Sequence, residues 1–301
     1  MSQTITKVAL AGATGSLGSR ILAALLDAKF EVTVIARKEG QQLPSGVAAK
    51  VVDTGSVAAI AGAMHGQDAL VDATSGPDPS LQGRFIEAAI ESGIYRIVMN
   101  EFSADPQDAK ARSPLVFHAK SNAFEQIKKV AAEGKLTYTT ISNSAFLDWN
   151  LRTGFINIDI FNKKVQYMND GMRPFPWTML SSVGTAVANV LKMAEQTQNR
   201  SFYISNIIKS QKQMANLAKE SLGSEGWEET HQDMDQKLKN ATADMMAGKV
   251  DMQVIGDMIR WSVSACPATR WEQIGDNELL GVRSMTDDEV RNLIVNIATQ
   301  A

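Results

Sequence analysis

A lysine set into the apolar face of a helix is the residue of this chain best placed to do proton chemistry. At about 100° per residue, Val116, Ala123, Phe124 and Ile127 fall on one face of the helical segment 114–132, and Lys120 falls in the middle of that stripe. Desolvation lowers the pKa of an ammonium towards the range useful in acid–base catalysis. The position also has an ordinary use, in which the lysine stem covers the core and the head snorkels to water, and periodicity alone leaves both open. Lys128 and Lys129 turn away from the stripe and His118 lies nearly opposite it, which reads as a surface histidine. His65, before a glycine turn, and His231, in a charged helical stretch, read as solvated.

The second chemical feature is the run Gly12-Ala13-Thr14-Gly15-Ser16-Leu17-Gly18. Three glycines at this spacing recur by chance among 21 glycines, but here they follow an apolar strand and open a helix. That setting gives a tight turn, close backbone approach to a pyrophosphate, and helix-terminal amides facing the phosphate charge. The loop is therefore expected to seat a dinucleotide, with Gly12, Thr14, Gly15, Ser16, Leu17 and Gly18 as its contacts. About twenty residues on, where an NAD site needs an acidic residue for the ribose 2′-hydroxyl, the chain has Ala36-Arg37-Lys38. Two cations suit a 2′-phosphate, so NADPH/NADP+ is the expected cofactor, with solvated loop residues as the alternative; Glu39 lies one residue farther out. Asp53, Thr74 and Ser75 end the third and fourth predicted strands, at the sheet edge where α/β proteins bind ligands, and are candidates for the adenine and ribose pocket or for simple caps and turns.

The elements that must position these residues alternate as βα units. Strands are expected at 7–11, 31–36, 49–52, 69–73, 95–99 and 136–142, with helices at 17–28, 56–64, 81–92 and 114–132 and a turn-rich stretch at 100–114. This is a doubly wound, parallel Rossmann-type α/β sheet. After Ser142 the rhythm changes: 149–177 mixes aromatics, Asn, Gly and Pro with short β-like pieces, 181–195 is helical, 201–204 is a brief strand, and from 211 onward the pattern is helical with breaks near Gly223, Gly226, Pro267 and Gly275 to Asp276. The expected organisation is a cofactor domain over 1–144, with a return excursion near 178–206, and a smaller, mostly helical substrate domain over 145–301.

Composition narrows the function. The chain has 301 residues, 44% apolar and 21% charged, with a net charge of −3 and no Lys/Arg-rich run, which disfavours nucleic acid as a partner. No apolar run approaches membrane-spanning length, and no secretory signal is visible. The single cysteine, Cys266, reads as a small packed residue, and no Cys/His cluster has metal-site spacing. A soluble, cytoplasmic protein acting on a small molecule is expected, and the oligomeric state is left open.

With these residues located, the chain resembles the NmrA-like and isoflavone-reductase-like families of atypical short-chain dehydrogenases/reductases, most clearly from Lys7 to about Trp149. Gly12 to Gly18 is similar to their dinucleotide loop. Met99-Asn100-Glu101-Phe102-Ser103 is similar to their Pro-Ser-Glu-Phe-Gly segment, with three departures. Phe117-His118-Ala119-Lys120, with Phe124-Glu125 and Tyr138-Thr139, resembles the stretch around their catalytic lysine, and Asn143-Ser144-Ala145-Phe146 their Asn-x-x-Phe segment beside the nicotinamide. Ser181-Ser182-Val183-Gly184 loosely matches the start of a further cofactor-domain helix. Val116 stands where the Tyr-x-x-x-Lys pair of ordinary short-chain dehydrogenases has tyrosine. The resemblance implies an NADPH-dependent reductase of a small, often aromatic molecule, with Lys120 assisting proton transfer and Asn143 and Phe146 beside the cofactor. A dinucleotide-sensing regulator without turnover, and a redox-neutral isomerase, dehydratase or cyclase, are the alternatives. Phe102, Trp149, Trp177, Met179, Met258 and Trp261 are candidates for an apolar substrate cleft, each with a plain core role as its alternative; Phe175 is a further apolar residue near it.

Overall fold

Continuous burial of the first strand, Val8 to Ala11, marks a sheet covered on both faces. The computed structural model describes residues 4–76, 78–265 and 268–300, so Cys266 and the break at Pro267 lie outside the described residues. The first half runs β1 (Lys7–Ala11), α1 (Ser16–Asp27), β2 (Glu31–Ala36), β3 (Ala48–Val51), α2 (Val57–Met64), β4 (Ala69–Asp72), α3 (Leu81–Ser92), β5 (Arg96–Val98), α4 (His118–Ala132) and β6 (Thr137–Ser142). It continues through β7 (Ala145–Phe146), α5 (Leu147–Thr153), β8 (Ile158–Asp159), β9 (Lys164–Met168), β10 (Pro174–Thr178), α6 (Leu180–Lys192), β11 (Arg200–Tyr203), β12 (Ile207–Ser210) and α7 (Gln211–Leu222). The last elements are β13 (Glu228–Gln232), α8 (Met234–Met246), α9 (Met252–Ala265), α10 (Thr269–Gln273) and α11 (Asp287–Thr299).

Seven strands form one parallel sheet in the order β11-β6-β5-β4-β1-β2-β3, the doubly wound architecture expected from the alternating pattern. Ile21, Leu22 and Leu25 of α1 and Val183, Val187 and Val190 of α6 cover one face. Residues of α2, α3 and α4, among them Ile60, Phe85 and Ile127, cover the other. The α1–α6 crossing is close because Gly184 has no side chain: a Cβ there would lie 2.6 Å from the carbonyl oxygen of Arg20. Gly184→Ala is expected to cost about 1–3 kcal/mol by overpacking, measured as a lowered urea midpoint with an unchanged slope.

The chain beyond β6 builds a second core around Leu147, Val165, Tyr167, Trp177, Met214 and Ile294. Two three-stranded sheets belong to this part, β12-β10-β7 and β13-β9-β8. The stretch expected to be helical from 211 onward contains one strand instead: β13 pairs in parallel with β9, and His231 sits on it, exposed, against the carbonyl of Asn169. Its Glu-Glu-Thr-His-Gln run carries no apolar alternation, so only the partner strand reveals it. Likewise α4 begins at His118, not at Pro114, because Leu115–Phe117 forms a 3₁₀ turn. Within 178–206, α6 packs on α1 and β11 extends the large sheet. Among the described residues no helix is long and apolar enough to cross a membrane.

Candidate active site

The carboxyl ends of six neighbouring strands, β6-β5-β4-β1-β2-β3, bring the residues singled out in the sequence into a row. At the end of β1, Gly12 has φ +82°, and a Cβ on it would lie 2.4 Å from the carbonyl oxygen of Ala73. A Cβ on Gly18 would lie 2.0 Å from the Gly12 oxygen, whereas at Gly15 the nearest atom is 3.4 Å away. The first and third glycines are therefore demanded by the turn itself, whereas the turn leaves room for a Cβ at the second. Thr14, Gly15 and Ser16 are exposed, Leu17 is partly buried, and α1 starts with neither a side-chain cap nor an acidic residue in its first turn. Its amides thus remain open to an anion, the arrangement a pyrophosphate needs.

Arg37 and Lys38 leave β2 beside this loop, exposed and with no carboxylate partner among the described residues. The Val52 amide bonds the Ala36 carbonyl, which brings Asp53 alongside; its Oδ1 accepts from the Gly55 amide at 2.8 Å, so the side chain shapes a turn. Thr74 follows β4, and both its amide (2.9 Å) and its hydroxyl (2.6 Å) donate to Asp72 Oδ1. Burial raises the Asp72 pKa above the ordinary carboxylate range, against the Thr74 hydrogen bonds and the Lys120 charge. Ser75 is exposed. A cavity of about 410 Å³ adjoins the loop, lined by Ala13, Thr14, Ser19, Gln42, Leu43 and others.

Lys120 meets the end of β5. Its Nζ donates to the Asn100 carbonyl and, at 3.0 Å, to Asn100 Oδ1, while Asn100 Nδ2 donates to the Thr74 carbonyl. Lys120 is partly buried, with Ala123, Phe124 and Ile127 of the same helix in the core beneath it. Desolvation dominates and lowers its pKa below the ordinary lysine range; Glu101 and Asp72 oppose this and Arg112 adds to it. The head is thus tied to the polar edge of the sheet, not released to bulk water. Val116, one turn earlier, packs with Leu115 against Ala241, Val254 and Met258.

The loop after β5 is held by a buried ion pair between Arg112 and Glu101, and Arg112 also donates to the Asp105 and Ala104 carbonyls. Ser144 donates its amide to the Ser103 carbonyl, joining this loop to the end of β6. There Asn143 is fully buried: Nδ2 donates to the Ser144 carbonyl, and Oδ1 has no partner among the described residues.

The expected cleft residues divide. Phe146, Trp149 and Met179 are partly buried: Phe146 packs against the core of the large sheet, Met179 against the second core, and the Trp149 ring lies 5.2 Å from that of Phe155. Trp177 and Met258 are instead core residues, 1% and 0% exposed: Trp177 stacks on Phe175 and donates to the Lys209 carbonyl, and Met258 fills the α8–α9 core. Trp261 is buried with its indole N–H on Asp235, and Phe102 packs into the core under the sheet. Large apolar residues near a cleft belong first to the packing that builds it, and sequence does not separate the two uses. Sequence reading missed Asn100 as a partner of Lys120, and it missed the cluster in which Asp105 accepts from Tyr203 (2.9 Å) and pairs with Arg270 (2.7 Å). That cluster borders a cavity of about 350 Å³ lined by Ala104, Ser144, Phe175 and Trp271 among others; Lys120 lines neither cavity.

Residues 12–168 match the NAD(P)H-binding family, and the chain belongs to it. It is 27% identical to the oxidoreductase poxI of Penicillium oxalicum over 293 residues, covering 94% of this chain and 92% of that one. Among solved structures it is similar to the leucoanthocyanidin reductase–NADPH complex of Vitis vinifera (TM-score 0.75, 16% identity, 96% and 99% of the two chains covered) and to isoflavone reductase (TM-score 0.69, 18% identity, 99% and 100%). The fold is the one these reductases share; the nicotinamide cofactor expected from the sequence stands with the family match, and the expected oxidoreductase class agrees with the name of the curated relative.

Proposed function

We propose that the protein is an NADPH-dependent reductase of a small hydrophobic, often aromatic, metabolite, with Lys120 assisting proton transfer. The observation that carries the reading is a lysine of lowered pKa anchored at the end of β5, two strands from a glycine loop whose shape excludes side chains. Thr14, Gly15 and Ser16 hold the pyrophosphate on the open end of α1, Arg37 and Lys38 read the 2′-phosphate, and Asn143 and Phe146 flank the nicotinamide. When bound, NADPH supplies the hydride. Lys120 hydrogen-bonds the substrate oxygen and delivers a proton to it as charge develops there, which is worth roughly 10²–10⁴ in rate for a placed acid. Phe146, Trp149 and Met179 supply an apolar wall that excludes water. Support for the reductase class comes from the named oxidoreductase relative and from neighbours named as reductases.

The cofactor half is tested by Arg37→Ala/Lys38→Ala. Each charge-assisted hydrogen bond to phosphate contributes about 1.5–3 kcal/mol, so NADPH binding should weaken about 10- to 100-fold or more, with NADH changed less than about threefold. Titration calorimetry with both nucleotides measures it, and equal losses would place 2′-phosphate recognition elsewhere. Steady NADPH consumption with a panel of aromatic enones and ketones supports the reductase reading, whereas tight dinucleotide binding without turnover on any acceptor supports a sensor.

A further inference from the structure

We propose that Asn100 is the positioning residue for Lys120: its carbonyl and side-chain oxygens take two N–H groups of Nζ, so that the one remaining valence faces away from Asn100 and carries the exchangeable proton. The inference rests on the reductase reading for its use, but the clamp is a property of the two side chains and is tested separately.

An ammonium has three donors and no acceptor. Two are spent on Asn100, and the third has no partner among the described residues. In the ammonium form the outward position is an N–H bond, a proton donor; in the amine form, with the same two N–H groups held, it is the lone pair, a proton acceptor. A carboxamide oxygen and a carbonyl oxygen are both acceptors that cannot take the proton themselves, so they fix orientation without competing for it. In the forward reaction the outward N–H bond breaks, its proton forms the new bond on the substrate oxygen, the neutral amine remains, and water restores the proton.

Asn100 is itself held. Its Nδ2 donates to the Thr74 carbonyl at 2.5 Å, which orients the amide so that Oδ1 is presented to Lys120. Thr74 is fixed in turn by Asp72, and Gln82 Nε2 reaches the Asn100 carbonyl at 3.4 Å. One side chain thus couples β4, β5 and α4. The segment that this stretch resembles has serine at position 100, whose shorter side chain lacks the amide donor that makes the tie to Thr74. The charged groups acting on Lys120 are Asp72 from β4 and Glu101 and Arg112 from the loop after β5. Asn100 adds none, and that neutrality leaves burial dominant over the amine.

Trace acylation of Lys120, measured against pH by peptide mass spectrometry, reads its titration without turnover. Asn100→Asp should raise the midpoint by about one unit or more, because a carboxylate within hydrogen-bond reach favours the ammonium. Asn100→Ala removes an acceptor from the ammonium and should lower it. A merely structural role would not move the two variants in opposite directions. In the NADPH assay Asn100→Ala should lose about 10- to 100-fold in kcat, part of the acid–base contribution, with nucleotide Kd within twofold and partial recovery in Asn100→Ser. Unchanged midpoints in both variants, each shown folded by thermal melting, would overturn the clamp. If the unaltered protein turns over no acceptor, the reductase reading fails while opposite midpoint shifts still establish the clamp.

Discussion

Lys120→Met is expected to lower kcat by about a hundredfold or more while changing NADPH affinity less than about threefold. The two effects separate because the residues differ. The glycine loop and the cations after β2 belong to β1 and β2, whereas Lys120 belongs to α4 and touches the end of β5. Methionine suits the apolar surface beneath the stem and removes only the ammonium. Two effects on stability oppose each other, removal of a partly desolvated charge and loss of the donor to the two Asn100 oxygens, so the net change should be small. The sign of its pH dependence follows from the lowered pKa. Between the folded value and the ordinary lysine value the unfolded chain binds more protons, so the lysine makes stability rise with pH across that window, and the variant loses this rise. Rate measurements with saturating NADPH, fluorescence titration of the nucleotide and urea melts at neutral and alkaline pH check the three parts. Full activity in Lys120→Met would end the assignment.

Arg112→Met is expected to cost about 3–5 kcal/mol, because it leaves the wholly buried Glu101 without its guanidinium partner. The guanidinium also closes the loop through the Asp105 and Ala104 carbonyls and lies over the Phe117 ring at 5.2 Å. Removing both charges as Glu101→Gln/Arg112→Met should recover more than half of the loss, because the uncompensated carboxylate, not the missing contact, dominates it. Urea unfolding of the single and double variants measures the coupling. A single-variant loss under about 1 kcal/mol would mean that the pair is solvated. Because this loop begins at Asn100 and bonds Ser144 through Ser103, kcat should fall with stability.

The centre of the large sheet, β1, β2 and β4, was legible because parallel strands buried on both faces write continuous apolar runs, and the glycine loop was legible because steric demands at Gly12 and Gly18 tolerate no other residue. Lys120 stood out for a related reason: a charge breaks a periodic stripe visibly. Its partner did not. Asn100 sits in a turn-rich stretch without periodicity, and nothing local to positions 100 and 120 says that they meet, although the departure from the resembled Pro-Ser-Glu-Phe-Gly segment marked the spot. The second half was harder because β13 is exposed and polar along most of its length, and because Trp177 and Met258 look alike as core and as cleft until their neighbours are known.

Hydride transfer from NADPH in this site is read by isotope transfer. NADPH deuterated at the transferable position of the nicotinamide is incubated with the protein and an aromatic enone that it consumes, and the product is weighed by mass spectrometry. One deuterium on carbon in the product is expected, formed in step with NADP+ and lost when Lys120 is methionine. Product formed without deuterium and without NADP+ would contradict it, and would make the protein a redox-neutral enzyme on the same fold.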